Sequence, residues 1–278
     1  MKISIFYFSG TGNTWWVVQE FKNIAIEQNH IVELHSIEKP SEYDLNNVIL
    51  NSDILGIAYP IYGSTYPIIM EKFLEELVKT SKSIPAIKKP PCFVLTSMMI
   101  FAGDGAIMPG KYLKSANFAF RWALNIPISS NISVRGFRLN PAPEHRIKKR
   151  MIKASKTLKK FLDRIERNRK SIQIQWFFLG RFLGWTQRVF LKRSIDAVLN
   201  YSVDNDKCTK CMKCVKQCPV ENIIYEEISE KFTFLKNCIW CMRCYNLCPT
   251  AAILVNGNYC DPKKYRRLKP ISKDYTIK

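Results

Sequence analysis

Lys2–Thr14 reads KISIFYFSGTGNT. Its opening part is an almost continuous apolar run, the pattern of a strand buried on both faces, and such strands belong to parallel sheets covered by helices. Ser9, Gly10, Thr11, Gly12, Asn13 and Thr14 then turn the chain into WWVVQEFKNIAIEQ, whose apolar residues recur at helical spacing. Glycines let a backbone approach a phosphate closely, amides at a helix N-terminus point toward it, and Ser and Thr hydroxyls add donors. No Lys or Arg lies in the turn, so it is not the GxxxxGKS/T loop of nucleotide hydrolases, and the dinucleotide fingerprint GxGxxG is absent as well. The plainer alternative is a polar turn that caps a helix.

Working outward, IVELHSI (31–37), DILGIAYP (53–60) and CFVLTSM (92–98) read as further strands, and NIPISSNISV (125–134) as the place of a fifth. PIIMEKFLEELVKT (67–80), Lys111–Leu124 and the long basic segment 144–170 read as helices. Strands alternating with helices predict an α/β domain over residues 1–170, built on a doubly wound parallel five-stranded sheet, with ligands beyond the carboxyl ends of its strands.

The second half carries one cysteine pattern twice, CTKCMKCVKQCP (208–219) and CIWCMRCYNLCP (238–249). CxxCxxCxxxCP is the ligand run of bacterial dicluster ferredoxins, in which the fourth cysteine serves the other cluster. Three cysteines two residues apart can wrap three corners of one cubane, while the fourth points elsewhere. Crossing over groups Cys208, Cys211, Cys214 and Cys248 on one [4Fe–4S] cluster. Cys238, Cys241, Cys244 and Cys218 then hold the other. Pro219 and Pro249 restrict the backbone after each fourth cysteine. Zinc sites use pairs of CxxC rather than a duplicated triplet followed by CP, and disulfides need an oxidising compartment. Residues 201–258 are thus expected to form a small α+β dicluster ferredoxin domain.

Composition agrees with a soluble protein of the cytoplasm. The chain has 278 residues, of which 47% are hydrophobic, and no run of eighteen apolar residues. The N-terminus reads as a strand and not as a signal peptide. Cys92 fits core packing, and Cys260 has no evident chemical role. His30, His35 and His145 have no partners in the pattern and read as surface positions.

The formal net charge is +20. Two oxidised clusters with their thiolates contribute about −4 and a phosphate monoester up to about −2, which leaves a surplus of roughly fourteen. Such a surplus steers acidic redox proteins, anionic small molecules or acidic membrane surfaces toward the protein. Nucleic acid ranks low, because charge alone is weak evidence and no nucleic-acid module is present.

FSGTGNT at 8–14 resembles the phosphate loop of flavodoxins, which holds flavin mononucleotide (FMN). Together with YPIYGSTYP (59–67), FAGDGA (101–106) and the two cysteine runs, the chain resembles the EFR-type ferrodoxin family, a flavodoxin-like domain fused to a dicluster ferredoxin. The resemblance implies that the loops after the third and fourth strands flank the flavin ring. Pro60, Ile61, Tyr62 and Gly63 would then lie on one side, with Tyr62 stacking on the ring. Ser97, Phe101, Ala102, Gly103 and Asp104 would lie on the other, Asp104 either bonding the flavin or capping the turn. MMIFAGDGAIMPGKYLKSA (98–116) departs from the short acidic, aromatic loop of flavodoxins.

Residues 171–200 bring together Trp176, Phe177, Phe178, Phe182, Trp185 and Phe190 with Arg181, Arg188, Lys192 and Arg193. This suits interdomain helices with arginine stems laid over apolar surface, a lid that meets substrate or partner, or a peripheral membrane contact. Residues 259–278 read as a basic, partly mobile tail lying on the protein surface. Two function classes remain. One is a flavin-dependent oxidoreductase that draws electrons through its clusters and reduces a substrate at the flavin. The other is a pure electron carrier serving a partner enzyme. No catalytic acid or base stands out.

Overall fold

The computed structural model describes residues 1–174, 177–198 and 200–270, with the side chains of 177 and 190–198 left aside. The expectations for Trp176, for the side chains of Phe177, Phe190, Lys192 and Arg193, and for 271–278 lie outside the described residues.

The first domain runs β1 (Lys2–Tyr7), α1 (Asn13–Glu27), β2 (Ile31–Ser36), α2 (Leu45–Leu50), β3 (Ile54–Pro60), α3 (Ile68–Thr80), β4 (Cys92–Met98), α4 (Gly110–Ser115) and β5 (Phe120–Pro127). A hairpin of β6 (Ser133–Val134) and β7 (Phe137–Arg138) follows, then α5 (Glu144–Glu166), β8 (Ser171–Ile172) and α6 (Phe177–Val198). The second domain holds β9 (Tyr201–Val203), α7 (Lys213–Lys216), β10 (Ile223–Glu226), β11 (Lys231–Phe234), α8 (Arg243–Leu247) and β12 (Ile253–Val255).

The sheet order is β2-β1-β3-β4-β5-β8, all parallel. Its first five strands have the flavodoxin-like order, with the topological switch point between β1 and β3. The expectation of five strands falls one short: β8, two residues long, adds a sixth at the edge by pairing Trp122 with Ser171 and Ala123 with Ile172. One face packs on α1 and α5 through Val17, Phe21, Leu158 and Phe161, and the other on α2, α3 and α4 through Ile49, Met70, Leu74 and Leu113.

The fifth strand sits earlier than NIPISSNISV, and the helix expected over 111–124 is short. Asn117 decides both. It takes a left-handed conformation (φ 57°), and Phe118 N donates to Leu113 O at 2.9 Å while Asn117 N donates to Lys114 O at 3.0 Å. This is a Schellman termination with asparagine in the usual place of glycine. The chain is then free to extend, and Trp122, Leu124 and Ile126 face one core while Ala123 faces the other.

The two ligand runs fold alike because they are alike. Lys210 and Trp240, Met212 and Met242, and Glu221 and Ala251 are all left-handed, and each pair is 30 residues apart, the same spacing that separates Cys208 from Cys238. The tail is not free-standing over its described part: Cys260 and Leu268 are buried, and Leu268 N donates to Asn246 Oδ1 at 2.7 Å. Among the described residues, no helix is long and apolar enough to cross a membrane.

Candidate functional site

The loop between β1 and α1 lies at the carboxyl end of the sheet. Gly12 is left-handed (φ 100°), which glycine alone adopts cheaply, and it turns the chain into the helix. Ser9 Oγ accepts from Gly12 N at 3.2 Å and from Trp15 N at 3.1 Å. Thr14 Oγ1 meets Ser97 Oγ at 2.8 Å, which ties the loop to the end of β4. Ser9, Thr11, Asn13 and Thr14 are all buried. Among the described residues, no group accepts from the amides of Thr11, Asn13 and Thr14, and Asn13 Oδ1 is buried without a partner. Buried polar groups need partners. Successive inward amides at a helix N-terminus fit the acceptor oxygens of a phosphate.

Sequence reasoning missed part of this cradle. Asn13 Nδ2 donates to Ser129 O at 2.8 Å, and Asn131 Nδ2 donates to Thr11 Oγ1 at 3.1 Å and to Cys241 O at 3.2 Å. Ser129, Ser130 and Asn131 follow directly on β5. With the fifth strand placed at 120–127, the rule that ligands gather at strand carboxyl ends would have pointed to them.

The loop after β3 is a tight reversal in which Tyr62 and Thr65 bond each other's backbone and Gly63 and Ser64 are both left-handed, as a type I′ turn requires. The tyrosine points at the phosphate loop. A Cβ on Gly10 would lie 2.7 Å from Tyr62 Oη and 2.8 Å from Cys241 O. Pro60 and Ile61 lead into this turn.

Phe101, Ala102, Gly103 and Asp104 form the loop after β4, and α6 crosses it. A Cβ on Gly103 (φ 54°) would lie 2.9 Å from Gly180 O and 3.2 Å from Gly184 Cα, so two backbones touch where none of the three has a side chain. Asp104 neither caps a helix through its side chain nor stands open. It pairs with Arg188, which also donates to Ser64 O at 2.8 Å, while Ser64 Oγ donates to Gln187 Oε1 at 2.7 Å. One face of α6 thus spans both loops. Its other face carries Phe178, Leu179, Phe182 and Trp185, all exposed.

The eight cysteines gather into the two expected groups. Cys208, Cys211, Cys214 and Cys248 line one cavity, and Cys218, Cys238, Cys241 and Cys244 line the other. Among the described residues, no three metal-binding side chains converge on a point for a single ion. The thiols ring volumes instead, as the ligands of polynuclear clusters do. Lys210 N and Trp240 N donate to Cys208 and Cys238 Sγ, both at 3.4 Å, and Asn222 N and Ala252 N to Cys218 and Cys248 Sγ, both at 3.2 Å. Amide donors to cluster sulfurs raise the reduction potential. Burial pushes the thiols of Cys214 and Cys241 up to about 11 and about 12, so only a metal's charge would hold them as thiolates at neutral pH.

The second group lies against the first domain. Ile239 and Cys241 join the core formed by β3, α3 and α4. Arg243, 1% exposed, reaches the phosphate loop. Cys211 is exposed by contrast, with Lys207, Lys210, Lys213 and Lys216 exposed around it. His35, expected on the surface, is half-buried between Phe6 and Tyr43, and burial lowers its pKa.

Known proteins resemble parts of this chain. A flavodoxin from the domain Archaea is similar at 14% identity over 60% of this chain and 99% of its own, with a TM-score of 0.41. For flavodoxin 2 of Bacillus cereus the values are 18%, 59%, 99% and 0.42, and for the flavodoxin of Megasphaera elsdenii 18%, 44%, 84% and 0.37. No curated protein matches. Residues 200–250 match the 4Fe-4S dicluster domain family, so this part of the chain is a dicluster iron–sulfur domain.

Proposed function

We propose that this chain is an iron–sulfur flavoprotein of the EFR-type ferrodoxin kind, which passes electrons between two [4Fe–4S] clusters and FMN and on to a substrate at the flavin. The observation that carries the reading is the contact between the two modules: the Cys241 carbonyl lies against Gly10 of the phosphate loop. FMN supplies two-electron or one-electron exchange when bound, whereas each cluster moves one electron.

The residues divide the work. Ser9, Gly10, Thr11, Gly12, Asn13 and Thr14 hold the phosphate, with Asn131 fixing the Thr11 hydroxyl. Tyr62 and Gly63 on one side and Phe101–Asp104 on the other hold the ring. Cys218, Cys238, Cys241 and Cys244 keep the inner cluster beside this loop. Cys208, Cys211, Cys214 and Cys248 keep the outer cluster near the surface, where the exposed lysines receive an acidic ferredoxin or flavodoxin. Attraction of this kind raises the encounter rate and is screened by salt.

The test is to photoreduce the purified protein without air, mix it with small-molecule acceptors and with redox proteins, and follow flavin reoxidation. Reoxidation by small molecules supports substrate reduction. If only redox proteins reoxidise it, the pure carrier reading holds. One observation favours that second reading: α6 closes over the loops after β3 and β4 by backbone contact at Gly103, Gly180 and Gly184, which limits access to the ring from that side.

A further inference from the structure

Arg243 belongs to the second cysteine run, yet its guanidinium sits at the far end of the other domain's loop, 233 residues away in sequence. Its Nε donates to Gly10 O at 2.9 Å, and Nη2 donates to Ser9 O at 2.8 Å. Nη1 and Nη2 take the two oxygens of Glu38, just beyond β2, each at 2.8 Å. Nη1 also donates to Gln217 O at 3.0 Å, beside Cys218. The side chain lies over the Phe8 ring, 5.9 Å from its centroid. One buried fork therefore joins the phosphate loop, the strand next to it and both cysteine runs.

The direction of these bonds matters. With the carbonyls of Ser9 and Gly10 turned outward to Arg243, the amides that follow face the inside of the loop. Arg243 itself is held between Cys241 and Cys244. The backbone just before it is left-handed at Trp240 (φ 51°) and Met242 (φ 59°), a conformation uncommon for residues with side chains. Four thiols bound to one cluster would hold it in place. The ligands of that cluster flank Arg243 at 241 and 244, so losing it would remove their tie on the segment that carries the guanidinium.

We propose that Arg243 is a positioning residue that couples occupancy of the inner cluster to FMN binding, so that the phosphate loop is shaped for FMN only when Cys218, Cys238, Cys241 and Cys244 hold their cluster. The proposal rests on the functional reading above, which places FMN at this loop. The coupling is reciprocal by thermodynamic necessity: FMN must in turn protect the inner cluster.

The test measures FMN affinity by quenching of flavin fluorescence, alongside iron content. Cys218→Ser removes an inner ligand that does not touch the loop, and Cys211→Ser removes an outer one. The dissociation constant of FMN should rise at least about fivefold in Cys218→Ser and change less than about twofold in Cys211→Ser. Arg243→Lys keeps the charge but loses the fork, and should also weaken FMN at least about fivefold while both clusters remain. Wild-type protein gives a check without any variant: iron release to a chelator should be slower from the inner site when FMN is bound. Equal weakening by the two cysteine variants, or iron release that ignores FMN, overturns the coupling and leaves the functional reading standing. Wild-type protein that binds no FMN overturns both.

Discussion

Arg188 on α6 grips Asp104 in the loop after β4 with both arms of its guanidinium, Nη1 to Oδ1 and Nη2 to Oδ2 at 3.1 Å. Both side chains are largely buried, at 21% and 12% exposure. Removing one partner of such a pair strands the other charge, at a cost of about 3–5 kcal/mol when the pair is buried. Arg188→Ala should therefore release α6, and limited proteolysis should cut within 177–198 faster than in the wild type. Cleavage at an unchanged rate would mean that the glycine contacts alone hold the helix.

The crossed grouping of the cysteines makes a sharp expectation. Cys218→Ala lies in the first run but should abolish the cluster held by Cys238, Cys241 and Cys244. Iron should fall by about half, and the remaining electron paramagnetic resonance signal should match that of Cys238→Ala and not that of Cys208→Ala. A signal matching Cys208→Ala would return the cysteines to an uncrossed scheme.

At Gly10 the backbone of one domain lies against the other, with no room for a side chain. In Gly10→Ala the new methyl would meet Tyr62 Oη and Cys241 O at under 3 Å, and neither the carbonyl nor the rigid ring yields easily. The loop and the inner cluster must then separate. Electron transfer between cluster and flavin after a light flash should slow about tenfold or more, given how steeply positioning errors count. An unaltered rate would show that the electron takes another path.

The phosphate loop offers a milder test. Thr11→Ala and Thr14→Ala should each weaken FMN binding by about 1–3 kcal/mol. Thr14 also holds Ser97. Its loss should therefore shift the flavin absorption spectrum as well as the affinity, whereas Thr11→Ala should leave the spectrum alone. Titration with FMN and difference spectra check both.

Burial raises the pKa of Tyr59, Tyr66 and Tyr43, the last up to about 12 from its ordinary 10.0. A group whose folded value is raised contributes stability that is whole below the unfolded value and lost as pH rises through the folded one. The first domain should accordingly lose stability between about pH 10 and pH 12. Denaturant midpoints should fall across that range, and phenolate absorbance of the folded protein should report Tyr43 while Tyr59 and Tyr66, raised further, stay protonated.

Much of this was legible in the chain, because it depends on local pattern. KISIFYFSGTGNT specifies a buried strand, a turn and a helix within fourteen residues of the start, and CxxCxxCxxxCP states the order and spacing of its ligands. The parallel, doubly wound sheet followed from the alternation of strands and helices. The fifth strand did not, since a left-handed asparagine ended α4 where no glycine marked the place, and with it went the cradle residues Ser129 and Asn131. What no local pattern holds is the meeting of the modules. Arg243 reads as one more basic residue among 43, Glu38 as a charge after a strand, and Gly10 as one of two glycines in a turn. Their roles come from contacts more than 200 residues apart in the chain, and only the packing of the inner cysteine group onto the end of the sheet brings them together. The sequence by itself determined the two modules and their ligand chemistry. Tertiary structure decided which cysteine group faces the loop after β1, because burying an arginine requires a carboxylate and carbonyls that only the assembled fold provides.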